Sequence, residues 1–415
     1  MGRIIGCIAD DFTGGSDAAS FLKKGGLSTL LINGDSYRGY RPGEDIRAVV
    51  VALKTRSIEP EAAADQSEAA AKWLLEQGAE KIYFKYCSTF DSTPRGNIGP
   101  VTDRLMELLD EPYTLLCPSL PVNGRKVKGG VLYVNGVPLG ESSMRFHPVN
   151  PMSESRIDKL MAPQSKYPCL VPEGGLIGPG TETVKDMLSR AAAEAGHLTA
   201  VPDYYSSEQG AELAESFGEL RLLTGGSGLL EHIARRERRK LGSGGAGGSF
   251  PKAEGRRLIL AGSCSAMTQK QVGAYLAAGK KALRLKPEML VSGEQRLEDL
   301  ASALRECEED LLIYSTAAPE EIYRGDGSKD ISALLEGAVA ELAAEALAGD
   351  IRKLIVAGGE TSGAVTRRLG YSRFLIGEDA APGVPVMCPA ERRDVNIVLK
   401  SGNFGDEAFF IDALA

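Results

Sequence analysis

The sequence predicts an α/β protein of two domains, each a mostly parallel sheet covered by helices. Three observations predict it. Short apolar runs bounded by turn residues alternate with helical patterns along the chain, as strand-helix-strand crossovers require. The 415 residues are too many for one ordinary core. The alternation is broken near the middle by Leu241-Gly242-Ser243-Gly244-Gly245-Ala246-Gly247-Gly248-Ser249, a Gly/Ser tract that reads as a linker.

In chain order, the first strand is the apolar run Ile4–Ala9, followed by Asp10-Asp11, a Gly14-Gly15 turn and a helical pattern from Ser16. Further strands are expected at Thr29–Ile32, Ala48–Lys54, Lys81–Lys85 and Tyr113–Cys117, with helical stretches at Glu61–Gln77 and Ile98–Leu109 between them. Val131–Val134, Asn135-Gly136 and Val137–Leu139 predict a hairpin, because Asn-Gly supplies the positive φ angles of a type I′ turn. A proline-rich loop follows at His147–Met152. Strands at Cys169–Val171, Leu198–Val201 and Leu220–Thr224, and a helix at Thr181–Ala195, complete the first half. The basic run Arg235–Lys240 is expected to decorate a helix end or face solvent. The second half alternates again: Arg257–Ala261, Lys281–Leu285, Leu311–Ser315, an Ala-rich helix at Ile331–Ala348, then Lys353–Ala357, Val384–Met387 and Asn396–Lys400. Limited proteolysis is expected to cut first within Leu241–Ser249 and leave two compact fragments. First cleavage inside either half would overturn the division.

Composition narrows the function. A formal charge of −8 and 25% charged residues argue against a nucleic-acid or anionic-membrane surface, and no apolar run approaches a membrane span. The N-terminus lacks the basic and long apolar regions of a signal peptide, and seven dispersed cysteines fit reduced thiols, so a cytoplasmic location is expected. With only His147, His197 and His232, a His/Cys zinc site is not expected. No Gly-x-Ser-x-Gly elbow follows a strand, which disfavours a serine hydrolase. Gly242, Gly244 and Gly247 formally match a dinucleotide fingerprint, but they follow a basic helical run instead of a strand.

The candidate chemistry gathers at strand ends, where open α/β sheets bind ligands. Asp10 and Asp11 are adjacent carboxylates, costly side by side unless a cation or a substrate hydroxyl uses them; a solvated loop acid plus a helix cap is the plainer reading. Arg56, in Thr55-Arg56-Ser57, suits a carboxylate, and Lys85 opens the polar segment Lys85–Thr93. A surface ion pair and a solvated strand end are their plainer readings. In the second half, three Gly-rich turns each follow a strand: Ala261–Ser265, Ala357–Gly363 and Lys400–Gly405. Such turns let backbone amides approach phosphate, and three in one domain point to a nucleotide site without a P-loop.

Together, Ile8-Ala9-Asp10-Asp11-Phe12-Thr13-Gly14, the Lys85–Thr93 segment, Pro121-Val122-Asn123-Gly124-Arg125, Thr224-Gly225-Gly226-Ser227-Gly228-Leu229 and the three later turns resemble the four-carbon acid sugar kinases. Phe84–Thr93 and Gly262-Ser263-Cys264-Ser265-x-Met267-Thr268 look most like the 3-oxo-tetronate branch. The resemblance implies an acid-sugar domain at 1–240, a linker at 241–254 and an ATP-binding domain at 255–415. It implies ATP-dependent phosphorylation of the C4 hydroxyl of a four-carbon acid, with Mg²⁺. The implied substrate contacts are Asp10 or Asp11, Arg56, and Lys85, Tyr86, Cys87 and Ser88, with Asp10 or Asp11 also the acid that takes the hydroxyl proton. The implied ATP contacts are Ser263 or its neighbour Ser265, Gly358, Gly359, Glu360, Thr361 and Gly402, and Glu360 is the carboxylate considered for the metal. A D-threonate or D-erythronate kinase and a non-catalytic sugar-acid or nucleotide-binding regulator are the alternatives. The oligomeric state stays open, a homo-oligomer included.

Overall fold

A computed structural model describes residues 4–146, 150–178, 180–242, 250–317, 323 and 330–414. Part of the proline-rich loop (147–149) and most of the Gly/Ser tract (243–249) lie outside the described residues. The chain forms two compact units, Met1–Gly248 and Ser249–Ala415.

The first unit carries strands β1 (Ile4–Ala9), β2 (Thr29–Asn33), β3 (Ala48–Ala52), β4 (Ala79–Lys85), β5 (Tyr113–Cys117), β6 (Arg125–Lys128), β7 (Val131–Val134), β8 (Val137–Pro138), β9 (Cys169–Leu170), β10 (Leu198–Ala200) and β11 (Leu222–Gly225). Its main sheet runs β2-β3-β1-β4-β11-β5-β10-β9 and is parallel throughout. The run Val49-Val50-Val51 in β3 is fully buried, as a strand covered on both faces requires. A Cβ on Gly6 would stand 2.9 Å from Ile82 and 3.0 Å from Leu74, so the glycine lets the helix Pro60–Glu76 settle onto β1. The predicted hairpin forms, with φ of 52° at Asn135 and 85° at Gly136. It belongs to a small antiparallel sheet, β6-β7-β8, whose first strand has too few apolar residues to read from sequence.

Two expectations change here. Arg236, within the basic run, is buried and paired with Glu219 and Glu237. Its neighbours on the helix Gly228–Leu241 do ion-pair near the surface. The end of the stretch expected as linker (241–254) is also held in place: Asn396 bonds the Pro251 carbonyl and the Ala253 amide, fastening that segment into the second unit.

The second unit carries β12 (Arg256–Ala261), β13 (Ala282–Arg284), β14 (Leu311–Tyr314), β15 (Ile351–Ala357), β16 (Arg373–Ala381), β17 (Val384–Pro389) and β18 (Asn396–Lys400). The order is β13-β14-β12-β15-β18-β17-β16; the first five are parallel, and β17 is antiparallel to both neighbours. The strand β16 was not expected. Gly377-Glu378-Asp379 interrupts its apolar alternation, and the pairing register shifts at that point. The Ala-rich helix Ile331–Ala348 packs its small residues against this sheet and the helix Gly359–Leu369.

Strand order singles out two places. The chain leaves β1 toward β3 on one side and returns to β4 on the other. In the second unit β12 is likewise flanked by β14 and β15. Crevices at the carboxyl ends of such strands are where parallel sheets take ligands.

Candidate functional site

At the β1 end of the first unit, Asp10 follows directly from the strand, and Thr55 and Arg56 donate their amides to its carbonyl. The backbone thus brings Arg56 to the acids from 46 residues away. Arg56 Nε and Nη2 bond the two Asp10 carboxylate oxygens at 2.9 and 2.8 Å, a bidentate pair. Nη1 reaches Asp11 Oδ2 at 2.8 Å. Asp11 also caps the helix Phe12–Lys24, its Oδ1 accepting the Gly14 amide at 2.6 Å. The Asp10 side chain is 7% exposed, Arg56 25% and Asp11 31%. Burial raises the Asp10 pKa against the opposing bonds and charge of Arg56. Burial also works against the Arg56 charge, but Asp10 and Asp11 outweigh it and hold the guanidinium firmly protonated.

Lys85 ends β4 beside this pair, with the Asp10 amide on its carbonyl and its ammonium donating to the Tyr86 carbonyl at 2.9 Å. A Cβ on Gly14 would stand 3.1 Å from Lys85 Nζ and 2.6 Å from Asp11 Oδ1, so glycine lets the helix start close over both charges. Cys87 and Ser88 are partly exposed, with Cys87 Sγ 2.9 Å from Thr89 Oγ1. Tyr86 requires correction as a side-chain contact. Its ring is fully buried between Phe84 and Phe90, and its hydroxyl lies 3.2 Å from Thr224 Oγ1. Strand alternation turns it into the core when Lys85 faces the crevice.

Two supports complete the site; Asn97 escaped the sequence reading, and the Gly225–Gly228 turn entered it only as part of the resemblance. Asn97 donates its side-chain amide to the carbonyls of Thr55, Arg56 and Ile58, pinning the loop that carries Arg56. Its position just before the helix Ile98–Leu109 suggests a cap, but no capping bond forms. The Gly225-Gly226-Ser227-Gly228 turn presses against Cys117, Pro118 and Ser119 where a Cβ would collide, and Ser227 donates to Asp17 on the first helix.

In the second unit the three Gly-rich turns converge. The Gly262 and Ser263 amides bond the Ala357 carbonyl at 3.1 Å, and the Gly358 amide bonds the Lys400 carbonyl at 3.0 Å. Thr361 Oγ1 occupies the space a Cβ on Gly262 or Gly358 would need, and Gly358 has a φ of 131°. Gly402 abuts Ser263 and Ser265; a Cβ there would clash with the Ser263 hydroxyl and stand 2.7 Å from that of Ser265. Ser263, Gly358, Gly359, Glu360 and Thr361 line a cavity of about 530 Å³, within the range of nucleotide-sized sites. Ser265 and Gly402 lie behind Ser263 and off the lining. Arg284, Lys286 and Leu335, which line the same cavity, had no sequence signature. Among the described residues no cluster of three His, Cys, Asp or Glu could hold a metal by itself. Glu360 is an exposed carboxylate on the cavity wall, the donor type that reaches Mg²⁺ directly or through water when phosphates supply the other oxygens. No helix among the described residues is long and apolar enough to cross a membrane.

Two family models match the chain: a sugar-binding N-terminal domain over residues 5–233 and a nucleotide-binding C-terminal domain over 258–410. The chain is 42% identical to a 3-oxo-tetronate kinase of Salmonella typhimurium, over 99% of this chain and 98% of that one. It is 41% identical to a 3-oxo-tetronate kinase of Brucella melitensis, over 99% and 94%. A crystal structure of a Salmonella typhimurium LT2 protein superposes with a TM-score of 0.89 at 40% identity, covering 99% of this chain and 98% of that chain.

Proposed function

This chain belongs to the four-carbon acid sugar kinases, and from that membership we propose that it transfers the γ-phosphoryl group of ATP to the C4 hydroxyl of 3-oxo-tetronate. The observation that carries the reading on the side of geometry is the cluster Asp10, Asp11, Arg56 and Lys85 at the β1 end. It gathers two cations and two acids around the place a small anionic polyol would occupy. Phosphoryl transfer asks a protein for positioning, charge neutralisation and a group to take the hydroxyl proton.

Arg56 has five N–H donors and spends three of them on Asp10 and Asp11, so two remain for a substrate carboxylate. Lys85 and Ser88 supply further donors to the substrate oxygens. Of the two acids, Asp11 has the exposure to meet a bound hydroxyl, so it orients the C4 hydroxyl and accepts its proton as the O–P bond forms. Asp10, locked to Arg56, aims the guanidinium. The turns around Ser263, Gly358 and Gly402 hold ATP. Glu360 is the carboxylate that would hold Mg²⁺, directly or through water, and the ion would supply charge neutralisation to the nucleotide.

The test is a panel of four-carbon acids with ATP, coupled to ADP release. 3-Oxo-tetronate should be turned over with the highest kcat/KM, D-threonate and D-erythronate poorly, and a neutral tetrose not at all. Preference for D-threonate or D-erythronate would move the substrate within the family. ATP binding without turnover of any acid would favour a regulator.

A further inference from the structure

Lys400 closes β18, and its side chain runs back beneath the Ser401–Gly402 turn with 1% of the residue exposed. Its ammonium lies 2.9 Å from the Gly402 carbonyl and 3.3 Å from both the Ser401 carbonyl and the Thr268 hydroxyl. The rings of Phe409 and Phe410 lie 5.9 and 5.7 Å away. No carboxylate pairs with it among the described residues. In the loop after β18, Glu407 pairs with Lys270 at 2.8 Å, and Asp406 accepts the Ala408 amide at 3.1 Å. Lys270 sits on the helix Ala266–Ala277, which meets the ammonium through the neutral Thr268, while the neutral Gln271 bonds the Phe404 and Asp406 carbonyls; Asp412, on the short helix Phe409–Asp412, is exposed.

A buried cation without a counter-ion is costly, and an apolar side chain would fill a slot between two phenylalanines at lower cost. Its place explains its presence. Thr268 donates to the Gly402 carbonyl at 2.8 Å and receives the Ser265 hydroxyl at 3.1 Å. Gly402 and Ser265 are therefore tied to this ammonium through one and two hydrogen bonds, and Ser263 through a third, its hydroxyl accepting the Ser265 amide at 3.2 Å.

We propose that Lys400 is a positioning residue of the nucleotide site, holding the Ser263–Ser265–Gly402 junction and supplying the buried positive charge that nucleotide phosphates meet there. The inference rests on the nucleotide reading of this cavity. Burial pulls the Lys400 pKa down to about 8 in the free protein. Phosphates favour the charged form, so nucleotide binding takes up a proton above that pH.

The test is calorimetric binding of MgATP to the full chain without sugar acid, at about pH 8.5, in buffers of different ionisation enthalpy. The wild type should take up a fraction of a proton per nucleotide. Lys400→Met should take up none and bind about 10-fold or more weakly, losing the buried charge behind the Gly402 turn and its charge-assisted hold on that turn. Its thermal midpoint should hold or rise, since methionine fills the slot uncharged; a merely structural lysine would lower it. Buffer-independent binding enthalpy in the wild type overturns the role of Lys400, and needs no variant to fold. Equal affinity in Lys400→Met does the same. Absence of any MgATP binding by the wild type overturns the nucleotide reading, and this inference with it.

Discussion

Arg56→Ala is expected to lower kcat/KM toward the sugar acid by about 30-fold to several thousand-fold, the cost of removing a charged partner from a desolvated site. It should also destabilise the first unit, which the sequence did not foretell. Without Arg56 the Asp10 carboxylate, nearly buried, loses both of its side-chain bonds. Breaking a buried pair from one side costs roughly 2–4 kcal/mol here, because protonation of Asp10 relieves part of the penalty. The sign with pH follows. A carboxyl with its folded pKa above the unfolded value holds a proton that the unfolded chain has released, so the variant loses stability as pH rises between the two. The deficit against wild type should shrink as pH falls toward about 4. Arg56→Ala combined with Asp10→Asn should recover stability at neutral pH without recovering activity. Denaturant melts across pH and steady-state kinetics on both variants decide this. A stable, active Arg56→Ala would remove the ion cluster from the site. Arg56→Lys should recover only part of the activity, because an ammonium cannot span both Asp10 oxygens.

Gly359→Val and Gly402→Val should each raise the KM for ATP by about 30-fold or more while leaving that for the sugar acid near its original value, for different reasons. At Gly402 a side chain collides with the Ser263 and Ser265 hydroxyls of the protein itself. That variant should therefore also lose about 1–3 kcal/mol of stability through overpacking. At Gly359 nothing stands within 4 Å of an added Cβ, and the residue lines the cavity. Gly359→Val should melt like wild type and reveal only what a bound nucleotide would have filled. An unchanged ATP KM in Gly359→Val would take the nucleotide away from that wall. Close protein packing is found at Gly358, where Thr361 fills the space, and at Gly402, but not at Gly359.

Much of the fold was legible because parallel strands buried on both faces are written as apolar runs. Tyr113–Cys117, Asn396–Lys400 and the helices Thr181–Ala195 and Ile331–Ala348 fall where the periodicity put them. The strands that escaped were β6, half exposed and basic, and β16, whose polar interruption hides an antiparallel strand with an irregular register. Both are held by partners elsewhere in the chain instead of by a pattern of their own.

By itself, the sequence determined the α/β class, the strand ends where ligands meet the sheet, and the residue types gathered there, because these depend on short-range periodicity and on motifs of a few residues. Only the tertiary structure decided what those residues do to one another. Asp10 and Arg56 are 46 positions apart, and nothing local says that the guanidinium is bidentate on one acid and shared with the other. Asn97, just before a helix, makes no capping bond and clamps the Arg56 loop instead. Lys400 read as the polar end of a strand and proved to be a buried cation beneath the Ser401–Gly402 turn. Pairing, burial and desolvation arise between segments distant in sequence, and their energies depend on distances that no linear spacing encodes.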